Sequence, residues 1–248
     1  WITGRRDALA ALGKYHGISP QLIARKGVTP NANDVFWLQI IGGRPDGKIV
    51  VANKPDAGRG AVAEIQCPLE PELVYPLIRG RDVSRWSAVP SLHFLFAQDP
   101  MQPSRAIRPQ LLAAQWPLAN AYLKQCESRL RARRSSIDKQ LMDTEAFYAI
   151  YGSGPYTLAP YKVLWREIAS TFTCAVAAPI QDPVLGTRIP IVDHKLVLLD
   201  FTEGEIAHYV CALLNSTPAR FLVDSYGVST QTSTQVTRYI RIPPYDKR

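Results

Sequence analysis

The sequence has no apolar run close to the roughly 20 residues that a membrane-spanning helix needs. It lacks the basic and then apolar start of a secretory signal. Its four cysteines form no CxxC pair, which argues against zinc-ribbon and thioredoxin-like sites. HExxH, GxSxG and GxxxxGK[ST] sequences are also missing, so no metal site, hydrolase elbow or phosphate loop is predicted. We expect buried, reduced thiols in a cytoplasmic protein.

Positive charge is in surplus. Twenty-nine lysines and arginines face 21 aspartates and glutamates, which gives a formal net charge of +8 over 248 residues. Such a surplus suits a polyanionic partner such as nucleic acid, although many other basic proteins share it. The chain starts at Trp1 and has methionine only at positions 101 and 142. We therefore expect it to be a piece of a longer protein.

The order of hydrophobic patterns predicts an α+β fold with mixed or antiparallel sheets, because strands and helices do not alternate strictly. The central feature is one long helix over residues 109–134, and a helix pair over residues 205–214 and 217–226 lies near the C-terminus. Residues 1–24, helical around 6–15, are predicted to lead in from a missing part, and residues 25–248 to form the domain. Strands are predicted at residues 35–41, 48–53, 61–66, 73–78, 92–98, 161–168, 172–179, 195–200 and 239–242.

Several strings occur in a familiar order: RKGVTPNANDVFW at 25–37, VYPLIRGRDVSRW at 74–86, GPYTLAPYKVLW at 154–165, DHKL at 193–196, HYVCALLNST at 208–217 and GVSTQTSTQV at 227–236. Together they resemble the C-terminal target recognition region of adenine-specific DNA methyltransferases. The relatives are type IIG restriction–modification enzymes and related phage-defence methylases. The resemblance covers residues 25–246, and its implied fold is that of type I and type IIG target recognition domains.

In that family the catalytic domain lies N-terminal and carries the S-adenosylmethionine site and an (N/D/S)PPY motif. Here IPPY at residues 242–245 places an isoleucine where the motif needs a polar side chain, so no catalytic residue is assigned. The resemblance implies a module without a cofactor of its own. Its partners would be duplex DNA and its own N-terminal methyltransferase domain, with no membrane. A nuclease fused to the parent chain is left open.

Arginines in the RGRDVSRW string are the first candidates for contact with DNA. Arg79, Arg81 and Arg85 bring three guanidinium groups within seven residues, and each could pair with a phosphate or a guanine edge. The alternative is an internal brace, in which Asp82 pairs with an arginine across a turn and Trp86 packs in the core.

Turn-forming and polar segments supply the other candidates, each of which also has a purely structural alternative. Lys162 and Arg166 lie on one face of a strand, which is predicted to be polar while Val163 and Trp165 point inward. Residues 193–195 (Asp-His-Lys) could contact DNA or lock their own loop. The remaining candidates are Arg25, Lys26, Thr29, Asn31, His194, Lys195, Thr230, Gln231 and Ser233.

A basic stretch over residues 124–139 carries six lysines and arginines against Glu127 and Asp138. A solvated helix face is the ordinary interpretation, and a surface that follows phosphates is the alternative.

Two further functions stay open at this stage. One is a self-contained enzyme that acts on a nucleotide or nucleic acid with Asp193, His194 and Lys195 as acid–base groups. The other is an interaction scaffold in a defence complex.

Overall fold

The computed structural model describes residues 6–58, 62–226 and 232–246. The helices found there are α1 (Arg6–Leu12), α2 (Asn33–Phe36), α3 (Pro109–Gln115), α4 (Pro117–Gln125), α5 (Glu127–Arg131), α6 (Ser136–Thr144), α7 (Gly204–Leu214) and α8 (Thr217–Tyr226). The strands are β1 (Arg25–Lys26), β2 (Trp37–Gly43), β3 (Ile49–Asn53), β4 (Gln66–Leu69), β5 (Val74–Ile78), β6 (Val83–Ser84), β7 (Ser87–Ala88), β8 (Leu92–Leu95), β9 (Gln98–Asp99), β10 (Gln102–Ala106), β11 (Tyr161–Arg166), β12 (Cys174–Ala177), β13 (Ile180–Asp182), β14 (Gly186–Arg188), β15 (Ile191–Val192) and β16 (Leu196–Phe201). The predicted α+β class is confirmed.

A six-stranded sheet forms the larger half of the fold, in the order β15-β5-β8-β2-β3-β4. The β15–β5 pair is parallel and the other neighbours are antiparallel. The strands predicted at 35–41 and 48–53 correspond to β2 and β3, which pair as an antiparallel hairpin. The sheet shares one hydrophobic core with α2 and the helices over residues 109–144, and buried side chains such as Phe94, Leu123 and Tyr148 belong to it.

A four-stranded antiparallel sheet is ordered β1-β16-β11-β12, and its inner strands β16 and β11 are buried on both faces along most of their length. Val163 and Trp165 belong to a core that includes α7 and α8, whereas Leu164 and Leu198 pack with Ile78 and Val192 of the other sheet. Neighbouring residues of a strand point to opposite faces. Because both faces of β11 and β16 are covered, consecutive residues of these strands are mostly apolar.

The single long helix predicted over residues 109–134 is wrong, because the structure divides it into α3, α4 and α5. Pro117 has no N–H group to continue α3 and instead begins α4. Cys126 leaves helical geometry, with φ −93° and ψ 5°. The start of α4 is stabilised by the buried Glu70 carboxylate, which accepts hydrogen bonds from the amides of Leu118 and Ala119, both at 2.9 Å.

Several other boundaries differ from the predictions. The strand predicted at 35–41 starts as α2 and becomes extended only at Trp37, and the strand predicted at 61–66 is found as β4. The predicted strand at 239–242 is instead a single bridge between His16 and Ile240, which follows a 3₁₀ turn at Thr234–Arg238. The C-terminal helix pair is confirmed as α7 and α8.

The described residues of the predicted lead-in pack against the end of the chain. The Ser19 hydroxyl donates to the carbonyl of Ile240 at 2.9 Å and accepts from the amide of Ile242 at 2.8 Å. Leu12 and Tyr15 pack against the core that contains α7 and α8. The domain boundary at residue 25 stays a prediction.

The cysteines carry no disulfide, and Cys126, Cys174 and Cys211 are buried while Cys67 is half-buried. In the part of the chain that the structure describes, no helix combines the length and apolarity that a bilayer crossing requires.

Gly27 allows the two halves of the fold to approach closely. Its amide donates to the carbonyl of Leu196, and a Cβ atom at this position would lie 2.1 Å from the carbonyl oxygen of Val192. We expect Gly27→Ala to lower the free energy of unfolding by about 1–3 kcal/mol, as overpacking does. Urea unfolding measures the change.

Gly42→Ala is the matched control, since a Cβ there would meet nothing within 4 Å. It should change stability by less than about 0.5 kcal/mol. Equal effects of the two substitutions would contradict the close approach at Gly27.

Candidate nucleic-acid interface

Three of the segments selected from the sequence meet around the turn formed by residues 193–195. The amide of His194 donates to the carbonyl of Val28, and the amide of Val28 donates to the carbonyl of Val192. The amide of Asp193 donates to the carbonyl of Ile78, directly before Arg79. Residues 25–31, 78–82 and 193–195 are thus held together by backbone hydrogen bonds, although they are far apart in the sequence.

An open cleft of about 590 Å³ lies beside two of these segments, 25–31 and 193–195. Its lining residues are Asn31, Asn33, Trp37, Ala57, Gly58, Arg129, Arg134, Ser135, Asp193, His194 and Lys195. Three of the sequence candidates, Asn31, His194 and Lys195, are therefore brought together. The exposed side chains of Arg134 and Lys195 make no ion pair within the described residues. The cleft consequently offers positive charge that the protein itself does not neutralise.

Asn31 has a left-handed backbone, with φ 51°, which asparagine tolerates better than most residues. Its side-chain amide donates to Asp138 Oδ2 at 2.7 Å and to the hydroxyl of Tyr151 at 3.3 Å. The amide group is therefore oriented by the protein at the edge of the cleft.

Asp193 locks its own turn, as one of the two interpretations of this segment predicted. Its buried carboxylate lies 2.6 Å from Nδ1 of His194 and accepts the amide of Lys195 at 3.3 Å. When Nδ1 donates to this carboxylate, Nε2 of His194 is the ring nitrogen left to bind another group. A contact of His194 or Lys195 with DNA stays a prediction.

The first part of the RGRDVSRW string is an internal brace. Arg79 Nε donates to Asp82 Oδ2 at 3.0 Å, and its NH2 group donates to the hydroxyl of Ser91 at 2.5 Å. The guanidinium also lies over the ring of Trp37, 5.5 Å from its centroid. Burial alone would raise the pKa of Asp82, but hydrogen bonds from Arg79 and Ser91 outweigh it and hold the pKa below its ordinary value.

The second part of the string is exposed. Arg81 is exposed at the surface, and an NH2 group of Arg85 donates to the carbonyl of Asn215 at 3.1 Å. Trp86 was expected in the core under the brace interpretation, and this is wrong, since 54% of it is exposed. It occupies a tight turn between β6 and β7.

Lys162 and Arg166 do not form a solvent-facing polar surface, so that prediction is wrong. Lys162 is 0% exposed, and its Nζ donates to the carbonyls of Ala159 at 2.7 Å and Pro190 at 3.3 Å. The guanidinium of Arg166 donates to the carbonyl of Val83. Both side chains point to the face of β11 that packs on the other sheet, and they are bonded to main chain there.

The remaining candidates are distributed around β1 and β11. Arg25 lies over the ring of Tyr156, 4.8 Å from its centroid, and the exposed Lys26 pairs with Glu167 at 2.5 Å. The amide of Thr29 donates to the carbonyl of Tyr151. Ser233 accepts the amide of Gln235, while Thr230 and Gln231 lie outside the described residues.

The basic stretch at 124–139 is less available than its composition indicates. Arg129 pairs with the buried Asp34 through two contacts of 2.9 and 3.1 Å, and Arg131 pairs with Glu127 at 2.7 Å. Arg133 is buried and donates to backbone carbonyls, including that of Ala149 at 2.8 Å. Arg134, directly beyond, lines the cleft.

Sequence reasoning did not single out Trp37, Asn33 or Ser135, which line the cleft. The basic stretch was a signal for Arg129, but nothing local identified its partner Asp34. The indole Nε1 of Trp37 is buried and has no hydrogen-bond partner among the described residues. Within those residues, no group of three His, Cys, Asp or Glu side chains is placed to hold a metal ion.

No family model matches the chain, and no curated protein matches it. Among solved structures, it is similar to the one titled "Structure of Type IIL restriction-modification enzyme MmeI in complex with DNA has implications for engineering of new specificities", with a TM-score of 0.49 and 13% identity. The similarity covers 92% of this chain and 24% of the other, so this chain spans about a quarter of that protein. At this distance the similarity assigns no residue role and no function.

The buried Lys162 predicts an unusual dependence of stability on pH. Burial lowers its pKa from the ordinary 10.5 to about 7, and Asp200 on the neighbouring strand opposes the shift. Between these two pH values the unfolded chain binds the proton and the folded chain does not, so this group makes the fold more stable as pH rises from about 7 to 10. Below pH 7 both states are protonated and the buried charge lowers stability.

We compare the unfolding free energy of Lys162→Met with that of the wild type at two pH values. The stability of the variant relative to the wild type should be higher at pH 6 than at pH 9.5, by about 1–3 kcal/mol. Urea unfolding at the two pH values checks this. Lys195→Met, which removes an exposed lysine, should show no such change. A pH-independent difference for Lys162→Met would contradict the shifted pKa.

Proposed function

We propose that the chain is the duplex-DNA recognition module of an adenine-specific, S-adenosylmethionine-dependent DNA methyltransferase in a restriction–modification or phage-defence system. The observation that carries the proposal is that backbone hydrogen bonds join residues 25–31, 78–82 and 193–195. Beside this junction, Asn31 and residues 193–195 line a cleft with Arg134 and Lys195, two cations that are in no ion pair within the described residues. These segments are the ones whose sequence resembles target recognition regions. The three segments are far apart in the sequence, so their contact in the fold supports a common role.

The cleft determines how DNA would bind. A volume of about 590 Å³ is typical of a small-molecule pocket and too small for a duplex. DNA would therefore lie across the mouth of the cleft, with a phosphate or a base edge directed inward. Arg134 and Lys195 at the rim supply charge to phosphates, and Asn31 and His194 offer oriented hydrogen-bonding groups to a base edge.

The proposed module selects a site and does not itself transfer the methyl group. No catalytic motif was found in the sequence, and the family resemblance places the donor site and the (N/D/S)PPY motif in a separate N-terminal domain. The second partner is accordingly that domain. We expect no methyl transfer from this chain alone in the presence of S-adenosylmethionine and DNA.

One observation favours an alternative enzymatic function. The contact of 2.6 Å between Asp193 and Nδ1 of His194 would orient the imidazole as a general base toward the cleft. DNA cleavage by the isolated chain that is lost in His194→Ala would support this alternative. Unchanged DNA on incubation with the chain would leave the binding module as the better account.

The test of the proposed interface is a double substitution at the cleft. Arg134→Ala with Lys195→Ala should weaken binding to a short mixed-sequence duplex, since two phosphate contacts are lost. The slope of log K against log salt should become shallower by about 1.8, at roughly 0.9 per contact. Fluorescence anisotropy titrations over a salt series measure both effects.

The matched control is Arg105→Ala with Arg108→Ala, which removes the same charge from exposed residues that do not line the cleft. This control should retain the wild-type slope. If it weakens binding as much as the cleft variant, binding depends on net charge and the proposed interface is wrong.

A further inference from the structure

The turn between β6 and β7 presents a tryptophan to solvent in an unusual conformation. Ser84 pairs with Ser87 and Val83 with Ala88, so Arg85 and Trp86 are the two residues of the turn. Trp86 has φ 71° and is 54% exposed. Turns that need a positive φ at this position usually carry glycine or asparagine there.

A bulky side chain at positive φ is a backbone outlier that surrounding structure must hold in place. The ring is exposed, so core packing does not explain why tryptophan stands here. Strained residues of this kind cluster where a binding surface is prepared in advance. The conformation and exposure of Trp86 therefore favour a contact with a partner outside the chain.

Contacts on both sides fix the turn. The amide of Trp86 donates to the carbonyl of Cys174 at 3.0 Å, which attaches the turn to β12. The guanidinium of Arg85 lies 5.4 Å from the centroid of the Trp86 ring and donates to the carbonyl of Asn215 at the end of α7. The arginine and the indole thus form one positioned pair.

The chemistry around this pair favours nucleic acid over a protein partner. The exposed polar residues of the segment are Arg81, Ser84, Arg85, Ser87 and Ser91. Asp82 is the one carboxylate between residues 79 and 91, and it is bonded to Arg79 and Ser91. Cations and hydroxyls suit phosphates, and an exposed indole stacks on a base or a sugar.

We propose that the Arg85–Trp86 turn is a second DNA contact, in which the indole stacks on an accessible base or sugar and Arg85 approaches a neighbouring phosphate. This inference rests on the proposed function, because it assumes that the chain binds duplex DNA. It adds a contact outside the cleft, since neither residue lines that cavity.

The experiment compares Trp86→Ala, Trp86→Phe and a matched control in anisotropy titrations with the same mixed-sequence duplex. Trp86→Ala should weaken binding about 5- to 100-fold, the range for loss of one aromatic–base stack. Trp86→Phe should restore most of the affinity. Neither should lower the thermal midpoint by more than a few degrees, because Trp86 lies outside the hydrophobic cores and more than half of it is exposed.

The matched control is Met101→Ala. Met101 is 89% exposed and also occupies a two-residue turn, between β9 and β10, where Asp99 pairs with Gln102. It should bind as the wild type does. A second readout is indole fluorescence, which should change on DNA binding in the wild type and change much less in Trp86→Phe.

The outcomes separate this inference from the proposed function. If the Arg134 and Lys195 variant loses affinity while Trp86→Ala binds normally, the turn is not a DNA contact and the proposed function stands; the ring would then be free for a protein partner. If the wild type binds no duplex at low salt, both fail. If Trp86→Ala does not fold, the wild type decides. Indole fluorescence of the wild type that does not change when DNA binds would overturn the inference.

Discussion

Residues 191–196 cross from one sheet to the other, and the backbone hydrogen bonds of this crossing hold the candidate site together. β15 pairs in parallel with β5 of the six-stranded sheet. Only a few residues later the chain enters β16, an inner strand of the four-stranded sheet. The turn between them has amides and carbonyls that need hydrogen-bond partners. The backbone groups of Val28 and Ile78 supply these partners. Gly27 is required because no side chain fits against Val192.

Burial of the four-stranded sheet on both faces has a second consequence for the crossing. Every residue of β11 between its ends must lie in the interior, and Lys162 is one of them. Its ammonium group donates to the carbonyl of Pro190, the residue directly before β15. The buried amino group therefore holds the chain at the point where it enters the crossing. The same low-dielectric surroundings that strengthen these hydrogen bonds disfavour the charge, which is why its pKa falls.

Local patterns predicted the elements whose signals lie within a few residues. Strands β2, β3, β11 and β16 and the helix pair α7–α8 follow from apolar runs and from the spacing of apolar residues. The break between α4 and α5 at Cys126 was missed because the apolar spacing continues across it. Pairings such as Arg129 with Asp34 join residues 95 apart, and no local pattern identifies such a partner.

The availability of each cation, and not the total charge, limits which residues form the candidate interface. A guanidinium or ammonium group that is bonded to an internal carbonyl or carboxylate must give up that contact before it can bind a phosphate. Arg79, Lys162 and Arg166 are committed in this way, whereas Arg134 and Lys195 are not. The RGRDVSRW string shows a difference of degree within one segment. Arg79 is held by a carboxylate and a hydroxyl, whereas the exposed Arg85 is bonded within the described residues through one NH2 group, to the carbonyl of Asn215, and its guanidinium lies beside the Trp86 ring. A string that resembles a binding motif therefore contains residues that fix its geometry, and only the others are left to meet a partner.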